Sequence, residues 1–308
     1  MDFRKHPLRR ILALAALAAL AATACRPAPA PAPLKVGSKD FTEQFILGEM
    51  YALLLEDAGY TVERKFNLGP TPAAHAALEK GEIDLYPEYT GTALVTVLKQ
   101  PASNDAQQVY QAVAQAYREQ FNLAWLDPAP TNNTQALAMT KSEATKLRVL
   151  TLSSLAARAR ELAEQGRPLI MAGPPEFLDR EDGLPGLQKV YGEFPVTYLP
   201  LAIEDRYRAL IGGDAQVVVA FGTDGEINGF DLALLLDDQK LFPVYQAAPV
   251  VRQDALDSHP RMRDALNALA PKLNDNVMRN LNFEVTHRKR PAAEVAREFL
   301  TLEGLLKK

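Results

Sequence analysis

The stretch that decides the fold is Gly81-Glu82-Ile83-Asp84-Leu85-Tyr86-Pro87-Glu88-Tyr89-Thr90-Gly91-Thr92. A helix is expected to end at Gly81, and residues 83–86 form a short strand that Pro87 is expected to terminate. Tyr89 and Thr92 then lie in the loop after the strand's carboxyl end, where open α/β sheets place their ligands. The stretch therefore predicts a binding site at this edge of a sheet.

A second copy of this layout lies further along the chain. In each copy an Ala-Leu pair precedes a glycine, and an aromatic residue follows the glycine by eight positions: Gly81 with Tyr89, and Gly213 with Phe221. A helix, a glycine and a strand in succession are common in α/β proteins. The similarity of the two copies is therefore supported mainly by the equal spacing from the glycine to the aromatic residue. Two similar lobes, each with an aromatic residue at a strand end, predict a ligand held between them.

The composition is that of a soluble globular protein. The chain has 308 residues, of which 47% are hydrophobic and 23% are charged, and this length is enough for two domains with separate cores. The net charge is −4 at neutral pH. Since nucleic acid phosphates require a basic surface, we expect no nucleic acid partner.

The N-terminus has the features of an export signal over residues 1–24. A basic start is followed by an apolar run at residues 11–22, too short to span a bilayer, and by small residues before Cys25. Cys25 is the only cysteine, and its setting resembles a bacterial lipobox, in which the thiol is acylated and becomes the mature N-terminus. An ordinary secreted protein with a leftover thiol is the alternative. Residues 25–33, rich in Pro and Ala, predict an extended tether from a membrane-anchored lipoprotein on the periplasmic or extracellular face.

Alternating strands and helices predict two doubly wound lobes. The first strand, residues 34–36, leads into a helix whose start has the form of a capping box, with Asp40 and Glu43 in the cap positions. Lys39 then lies in a strand-to-helix loop at the same sheet edge as Tyr89. A cation at a helix N-terminus suits an anionic ligand group.

The chain is expected to cross between the lobes twice, near residues 132–135 and 242–245. Lobe one would comprise residues 34–133 plus 244–308, and lobe two residues 134–243. Two crossings form a two-segment hinge that lets the lobes close on a ligand. Polar side chains at the first crossing would lie on the cleft floor, or would serve only local turn hydrogen bonds.

The sequence contains no catalytic signature. It has no zinc-binding helix pair, no Gly-x-Ser-x-Gly elbow and no glycine loop for phosphate or dinucleotide binding. We therefore expect no enzyme, cofactor or metal site. The pairs Asp237-Asp238 and Glu181-Asp182 suit solvated turns, and Arg180 suits either the cleft or a surface ion pair. An enzyme on a binding-protein scaffold and a ligand-sensing domain for a separate receptor are the rival hypotheses.

Several motifs follow one another in the order of a known family. They are Gly37-Ser38-Lys39-Asp40-Phe41-Thr42-Glu43-Gln44, Asp84-Leu85-Tyr86-Pro87-Glu88-Tyr89-Thr90-Gly91-Thr92, Asn132-Asn133-Thr134, Glu176-Phe177-x-x-Arg180-x-Asp182-Gly183, Thr223-Asp224-Gly225 and Phe242-Pro243-x-Tyr245. With these motifs the chain resembles the osmoprotectant substrate-binding proteins of ABC transporters, whose ligands are glycine betaine, carnitine and choline.

The resemblance implies an α/β type II periplasmic-binding-protein fold, which delivers its ligand to ABC permease subunits and their ATPase. It also implies that Lys39, Thr92 and Arg180 stand at carboxylate positions, and that Tyr89 and Tyr245 belong to a cage around a trimethylammonium group. Aromatic faces attract a quaternary ammonium, and Lys and Arg suit a carboxylate.

Two cage positions depart from the family's pattern. Gln135 stands where relatives usually have an aromatic residue, and Phe221 where many have tyrosine. Asn133 adds an amide where some relatives carry a carboxylate. Because amides both donate and accept hydrogen bonds, two ligand classes stay open: a betaine-type quaternary ammonium, and an amino acid or another polar zwitterion.

Overall fold

The computed structural model describes residues 32–306, except the side chains of residues 203 and 204. The predicted export signal, Cys25 and most of the predicted tether lie outside the described residues. Within the described part of the chain, no helix is both long and apolar enough to cross a bilayer.

Ten strands form two five-stranded sheets over residues 32–306. In chain order they are β1 (Leu34–Gly37), β2 (Val62–Lys65), β3 (Leu85–Tyr89), β4 (Leu123–Trp125), β5 (Gln135–Thr140), β6 (Leu169–Gly173), β7 (Val196–Pro200), β8 (Val217–Phe221), β9 (Leu232–Leu234) and β10 (Ala247–Arg252). The first sheet has the order β2-β1-β3-β10-β4, and the second has the order β7-β6-β8-β5-β9.

Helices flank both sheets. They are α1 (Thr42–Asp57), α2 (Thr71–Glu79), α3 (Ala106–Phe121), α4 (Lys141–Leu147), α5 (Leu152–Glu164), α6 (Leu184–Tyr191), α7 (Ile203–Gly212), α8 (Gly225–Gly229), α9 (Gln253–Ser258), α10 (Met262–Asn267), α11 (Asp275–Thr286) and α12 (Ala292–Leu302). Short helical turns occur at Thr90–Thr92, Ala93–Val97, Pro175–Leu178 and Ala270–Lys272.

Each sheet is covered on its two faces by separate hydrophobic clusters, which confirms the prediction of two α/β lobes. In the first sheet every residue of β3 is buried, as expected for a central strand between two helical layers. In the second sheet β8 has the same position, with Val217 and Val219 facing one cluster and Val218 and Ala220 facing the other. The fold is a two-lobed α/β fold of type II.

Pro87 does not terminate its strand, so that prediction is wrong. Strand β3 runs through it to Tyr89, and Pro87 lies opposite Pro249 of the antiparallel neighbour β10. An antiparallel ladder alternates hydrogen-bonded and non-hydrogen-bonded pairs, and two prolines facing each other at a non-bonded pair remove no bond between these strands. The local rule fails because the partner strand, about 160 residues away along the chain, has the matching residue.

The predicted capping box is also wrong. Helix α1 begins at Thr42 with Phe41 in the N-cap position, and no side chain caps it. The side chain of Glu43 is 3% exposed and binds donors from other segments of the chain.

The two segments that connect the lobes lie side by side. Asn132 and Gln246 form an isolated antiparallel bridge, the backbone N–H of Asn133 donates to Tyr245 O (3.1 Å), and the backbone N–H of Tyr245 donates to Asn132 Oδ1 (2.7 Å). Strands of the first sheet come from both sides of this pair of segments, and strands of the second sheet lie between them in the chain. This is the arrangement of a two-segment hinge.

A further contact joins the lobes through α8 and α11. Gly225 lies so close to α11 that an added Cβ would meet the backbone N of Phe283 at 2.5 Å. The Nε of Arg279 donates to the carbonyl oxygen of Gly222 (2.7 Å). A small residue is therefore required where these two helices meet.

Candidate functional site

A cavity of about 1050 Å³ is lined by residues from both lobes and from the hinge. Tyr89 ends β3 on one side, and Phe221 ends β8 on the other. The repeated layout in the sequence therefore places its two aromatic residues in one cavity. Both reach it for the same reason, because the carboxyl ends of the two central strands point towards the space between the lobes.

All eight residues proposed from the sequence as ligand-binding residues line this cavity. They are Lys39, Tyr89, Thr92, Asn133, Gln135, Arg180, Phe221 and Tyr245. Their contact with a ligand stays a prediction, but the fold brings all of them to one place.

The aromatic lining includes one residue in addition to the predicted ones. Phe41 lines the cavity, is 38% exposed, and stacks on Tyr89 with ring centroids 6.2 Å apart. Tyr245 and Phe221 add rings from the hinge and from the second lobe. Aromatic residues from both lobes and from the hinge therefore line the cavity.

Lys39 is engaged by a buried carboxylate. Its Nζ lies 2.5 Å from Glu88 Oε1 and 3.2 Å from Thr71 Oγ1, and the side chains of Lys39 and Glu88 are 4% and 0% exposed. The same ammonium lies 4.7 Å from the centroid of the Tyr89 ring. The predicted carboxylate-binding lysine is thus neutralised within the first lobe and supports an aromatic ring of the cavity.

Glu43 is a buried carboxylate that lines the cavity. Its Oε1 accepts hydrogen bonds from Tyr89 Oη (2.7 Å) and Asn133 Nδ2 (3.1 Å), and its Oε2 accepts from Asn282 Nδ2 (2.7 Å). The same Asn282 Nδ2 also donates to the carbonyl oxygen of Thr223 (2.8 Å) in the second lobe. Burial raises the pKa of Glu43 above its ordinary value. This network links the first lobe, the hinge and the second lobe through one carboxyl group.

Arg180 forms a bidentate ion pair with Asp182. Its Nε and Nη2 each lie 2.8 Å from one oxygen of that carboxylate, and Gln135 Nε2 donates to Asp182 Oδ2 (2.7 Å). Asp182 lies in a turn, as predicted, and is 21% exposed, but a strand residue distant in sequence also binds its carboxylate. The hydrogen bonds to Asp182 raise the pKa of Arg180, which stays positively charged.

A second ion pair, with a buried arginine and a partly buried aspartate, lines the cavity in the second lobe. Asp224 Oδ2 accepts from Arg206 Nη2 (2.5 Å), Tyr207 Oη (2.6 Å) and the backbone N–H of Phe221 (2.8 Å). The Arg206 guanidinium carbon lies 5.4 Å from the centroid of the Phe221 ring. Among the side chains that the structure describes, the Nε and Nη1 groups of Arg206 have no hydrogen-bond acceptor. This pair fixes the turn that follows β8.

Phe41, Glu43, Asp182, Arg206 and Asp224 are among the residues of this network that were absent from the predicted site. Phe41, Glu43, Asp182 and Asp224 lie inside the quoted sequence motifs, so their positions could have been predicted from those motifs. Arg206 lies outside those motifs, and its sequence neighbourhood on an amphipathic helix did not distinguish it from a surface arginine.

The site suits recognition of a small zwitterion by non-covalent contacts. Aromatic rings accept a cation, the Arg180 guanidinium suits an anion, and the carboxylates of the cavity wall are held by hydrogen bonds. In the described part of the chain no group of three or more His, Cys, Asp or Glu residues is arranged to hold a metal ion. A two-lobed α/β fold with a paired hinge and such a cavity defines the class of type II periplasmic binding proteins.

Comparison with known proteins identifies the family within this class. Residues 32–301 match the family OpuAC, the substrate binding domain of ABC-type glycine betaine transport systems, and the chain belongs to this family. It is thus a substrate-binding protein of ABC transport, from a family whose members act in the periplasm or outside the cell.

Individual relatives agree with this assignment. The chain is 35% identical to the glycine betaine-binding protein YehZ of Escherichia coli, over 91% of this chain and 94% of the relative. It is also 35% identical to a Helicobacter pylori protein described as ergothioneine transport permease/ergothioneine binding protein EgtU, but spans only 48% of that protein's length. A crystal structure described as a glycine betaine/carnitine/choline ABC transporter matches with a TM-score of 0.82 and 30% identity, over 89% of this chain and 100% of that structure.

Proposed function

We propose that this protein captures a betaine-type quaternary ammonium zwitterion between its lobes and delivers it to the membrane permease and ATPase of an ABC importer. The observation that carries the proposal is the cavity itself, whose wall is lined by the aromatic residues Tyr89, Phe221 and Tyr245 and by the cation of Arg180. A trimethylammonium group has no N–H to donate, so aromatic faces hold it by cation–π attraction, while the arginine takes the carboxylate. Glycine betaine in the descriptions of the family and of YehZ supports this ligand class.

The second ligand class is an amino acid or another polar zwitterion. The donor groups that suggested it are already engaged, because Gln135 donates to Asp182 and Asn133 donates to Glu43. One observation still favours a ligand with an N–H or O–H group. Asn133 Oδ1 is a buried acceptor at the cavity that has no hydrogen-bond partner among the described residues.

Calorimetric titration of the purified protein, freed of bound ligand by unfolding and refolding, tests the ligand class. The panel holds glycine betaine, carnitine, choline and ordinary amino acids. We expect micromolar or tighter binding of a betaine, weakened roughly 2- to 30-fold by Tyr245→Ala and much less by Tyr245→Phe, since a cation–π contact contributes about 0.5–2 kcal/mol. Binding of an amino acid alone would refute the betaine and leave the fold unaffected.

The transport role has a separate test in cells. Deleting the partner permease genes should abolish uptake of the radiolabelled ligand, whereas unchanged uptake would favour the ligand-sensing alternative.

We further propose that the lobes divide at residues 133/134 and 243/244, which is supported by the strand content of the two sheets.

We also propose that Cys25 anchors the protein to a membrane through a lipid. The support is its position after an apolar run and small residues, as in a lipobox. Cys25→Ser should move the protein from the membrane fraction to the soluble fraction, and an unchanged distribution would refute the anchor.

A further inference from the structure

Gln135 is linked to Arg180 through the carboxylate of Asp182. It is the first residue of β5, lies directly opposite Phe221 of β8 in the sheet, and is 7% exposed. Its amide nitrogen donates to Asp182 Oδ2 at 2.7 Å, and the same oxygen accepts from Arg180 Nη2 at 2.8 Å. Asp182 therefore connects a residue of the rigid sheet to a cation at the cavity.

The Arg180–Asp182 pair is local in sequence, within a turn held by backbone hydrogen bonds from Arg180 N–H to Glu176 O (3.1 Å) and from Gly183 N–H to Arg180 O (2.9 Å). The two residues are separated by one position in a turn, and the arginine side chain is 48% exposed. An arginine side chain that is free to rotate carries about 2 kcal/mol of rotamer entropy, and the backbone bonds of the turn do not restrict the rotamers of the two side chains. The bond from Gln135, 47 positions from Asp182 in sequence, ties the pair to the sheet of the second lobe.

Arg180 lines the same cavity as the hinge aromatic Tyr245. Burial raises the pKa of the Tyr245 hydroxyl, with a further contribution from the Asp182 charge, while Arg180 opposes that increase. Asp182 engages Nε and Nη2 of Arg180, which leaves Nη1 as the nitrogen outside the pair.

We propose that Gln135 is a positioning residue, which holds Arg180 at the cavity through Asp182 and thereby favours ligands that carry a carboxylate over the plain cation choline. The inference rests on the proposed function, since it assigns the ligand's carboxylate to Arg180. Glycine betaine and choline share the trimethylammonium group and differ in the carboxylate. Their affinity ratio therefore isolates the part of recognition that depends on Arg180.

The variant Gln135→Met tests the proposal, because methionine has a similar length and no N–H. Gln115→Met is the matched control, since Gln115 also donates to a carboxylate (Glu119, 2.9 Å) but lies exposed on α3, outside the residues that line the cavity. We expect Gln135→Met to shift the betaine-to-choline affinity ratio roughly 3- to 10-fold towards choline. This fold-change corresponds to the cost of ordering one rotamer-rich side chain, that of Arg180, when the carboxylate binds. In an Asp182→Ala background the same substitution should cause no further shift.

A second readout needs no ligand. The Nε–Hε resonance of Arg180 in the NMR spectrum, assigned with Arg180→Lys, should be sharp in the wild-type protein and broadened in Gln135→Met. Equal losses of affinity for betaine and choline, with an unchanged Arg180 resonance, would overturn the proposal and show that Gln135 only supports the lobe. If the wild-type protein binds neither compound, the proposed function fails, but the Arg180 resonance still decides whether Gln135 positions this side chain.

Discussion

Replacing Lys39 by methionine is the substitution whose effect follows most directly from the structure. The Lys39 ammonium lies 2.5 Å from Glu88 Oε1, and neither side chain is more than 4% exposed. Glu88 also accepts from the backbone N–H of Tyr89 (2.7 Å) and from Tyr86 Oη (3.0 Å), which fix the position of its carboxyl group. Lys39→Met keeps the side-chain length and leaves this carboxylate buried without its counter-charge.

The expected loss is large because the remaining charge cannot reach water. Removing one partner of a buried ion pair costs about 3–5 kcal/mol in the free energy of unfolding, which corresponds to a fall in Tm of roughly 6–20 °C for a protein of this size. The double variant Lys39→Met/Glu88→Gln should recover most of this loss. The neutral amide introduced at position 88 still accepts from the Tyr89 backbone N–H through its oxygen, and its nitrogen donates to Tyr86 Oη.

Urea unfolding with linear extrapolation measures both variants. The matched control is Lys146→Met, whose ammonium lies 3.2 Å from Glu143 but is 71% exposed, so that its loss should cost no more than about 1 kcal/mol. The reasoning is refuted if Lys39→Met is no more destabilising than the control, or if the double variant is as unstable as the single one. A selective loss of betaine affinity at unchanged stability would instead show that Lys39 binds the ligand's carboxylate.

Two further predictions concern the contacts between the lobes. Burial raises the pKa of the Glu43 carboxyl group above its ordinary value of 4.5, so the native state binds the carboxyl proton more tightly than the unfolded chain does. The free energy of unfolding therefore falls as the pH rises from 4.5 through the raised pKa. Glu43→Gln removes this titration, so urea unfolding between pH 4 and 8 should show the variant gaining stability relative to the wild type as the pH rises; parallel curves would contradict this. Gly225→Ala should cost about 1–3 kcal/mol in unfolding experiments, because its Cβ meets the backbone of Phe283, whereas Gly212→Ala, whose Cβ meets nothing closer than 3.7 Å, should be nearly neutral.

The location of the site was predictable because it depends on local features. A strand end is marked by the glycine before it and the apolar run within it, and the chain repeats this pattern before Tyr89 and before Phe221. The two crossings were likewise marked by short polar and proline-containing stretches between apolar runs. Such signals depend on neighbouring residues, so one sequence is enough to detect them.

The partners of the charged residues were not predictable in this way. Lys39 meets Glu88 and Asp182 meets Gln135 across 49 and 47 positions of the chain, and nothing local distinguishes these side chains from solvated ones. Glu43 fits a capping box by spacing, yet its carboxylate accepts from Tyr89 and from two asparagines instead. Each of these outcomes depends on which strands and helices lie side by side.

The sequence by itself thus determined the two α/β lobes, the hinge crossings and the group of residues around the cavity, because periodicity, turn residues and strand ends are encoded over short distances. Only the tertiary structure decided which charges are neutralised, which amides are already engaged and how Arg180 is held. A buried polar group takes its partner from whatever segment packs against it, and that choice is made by the fold.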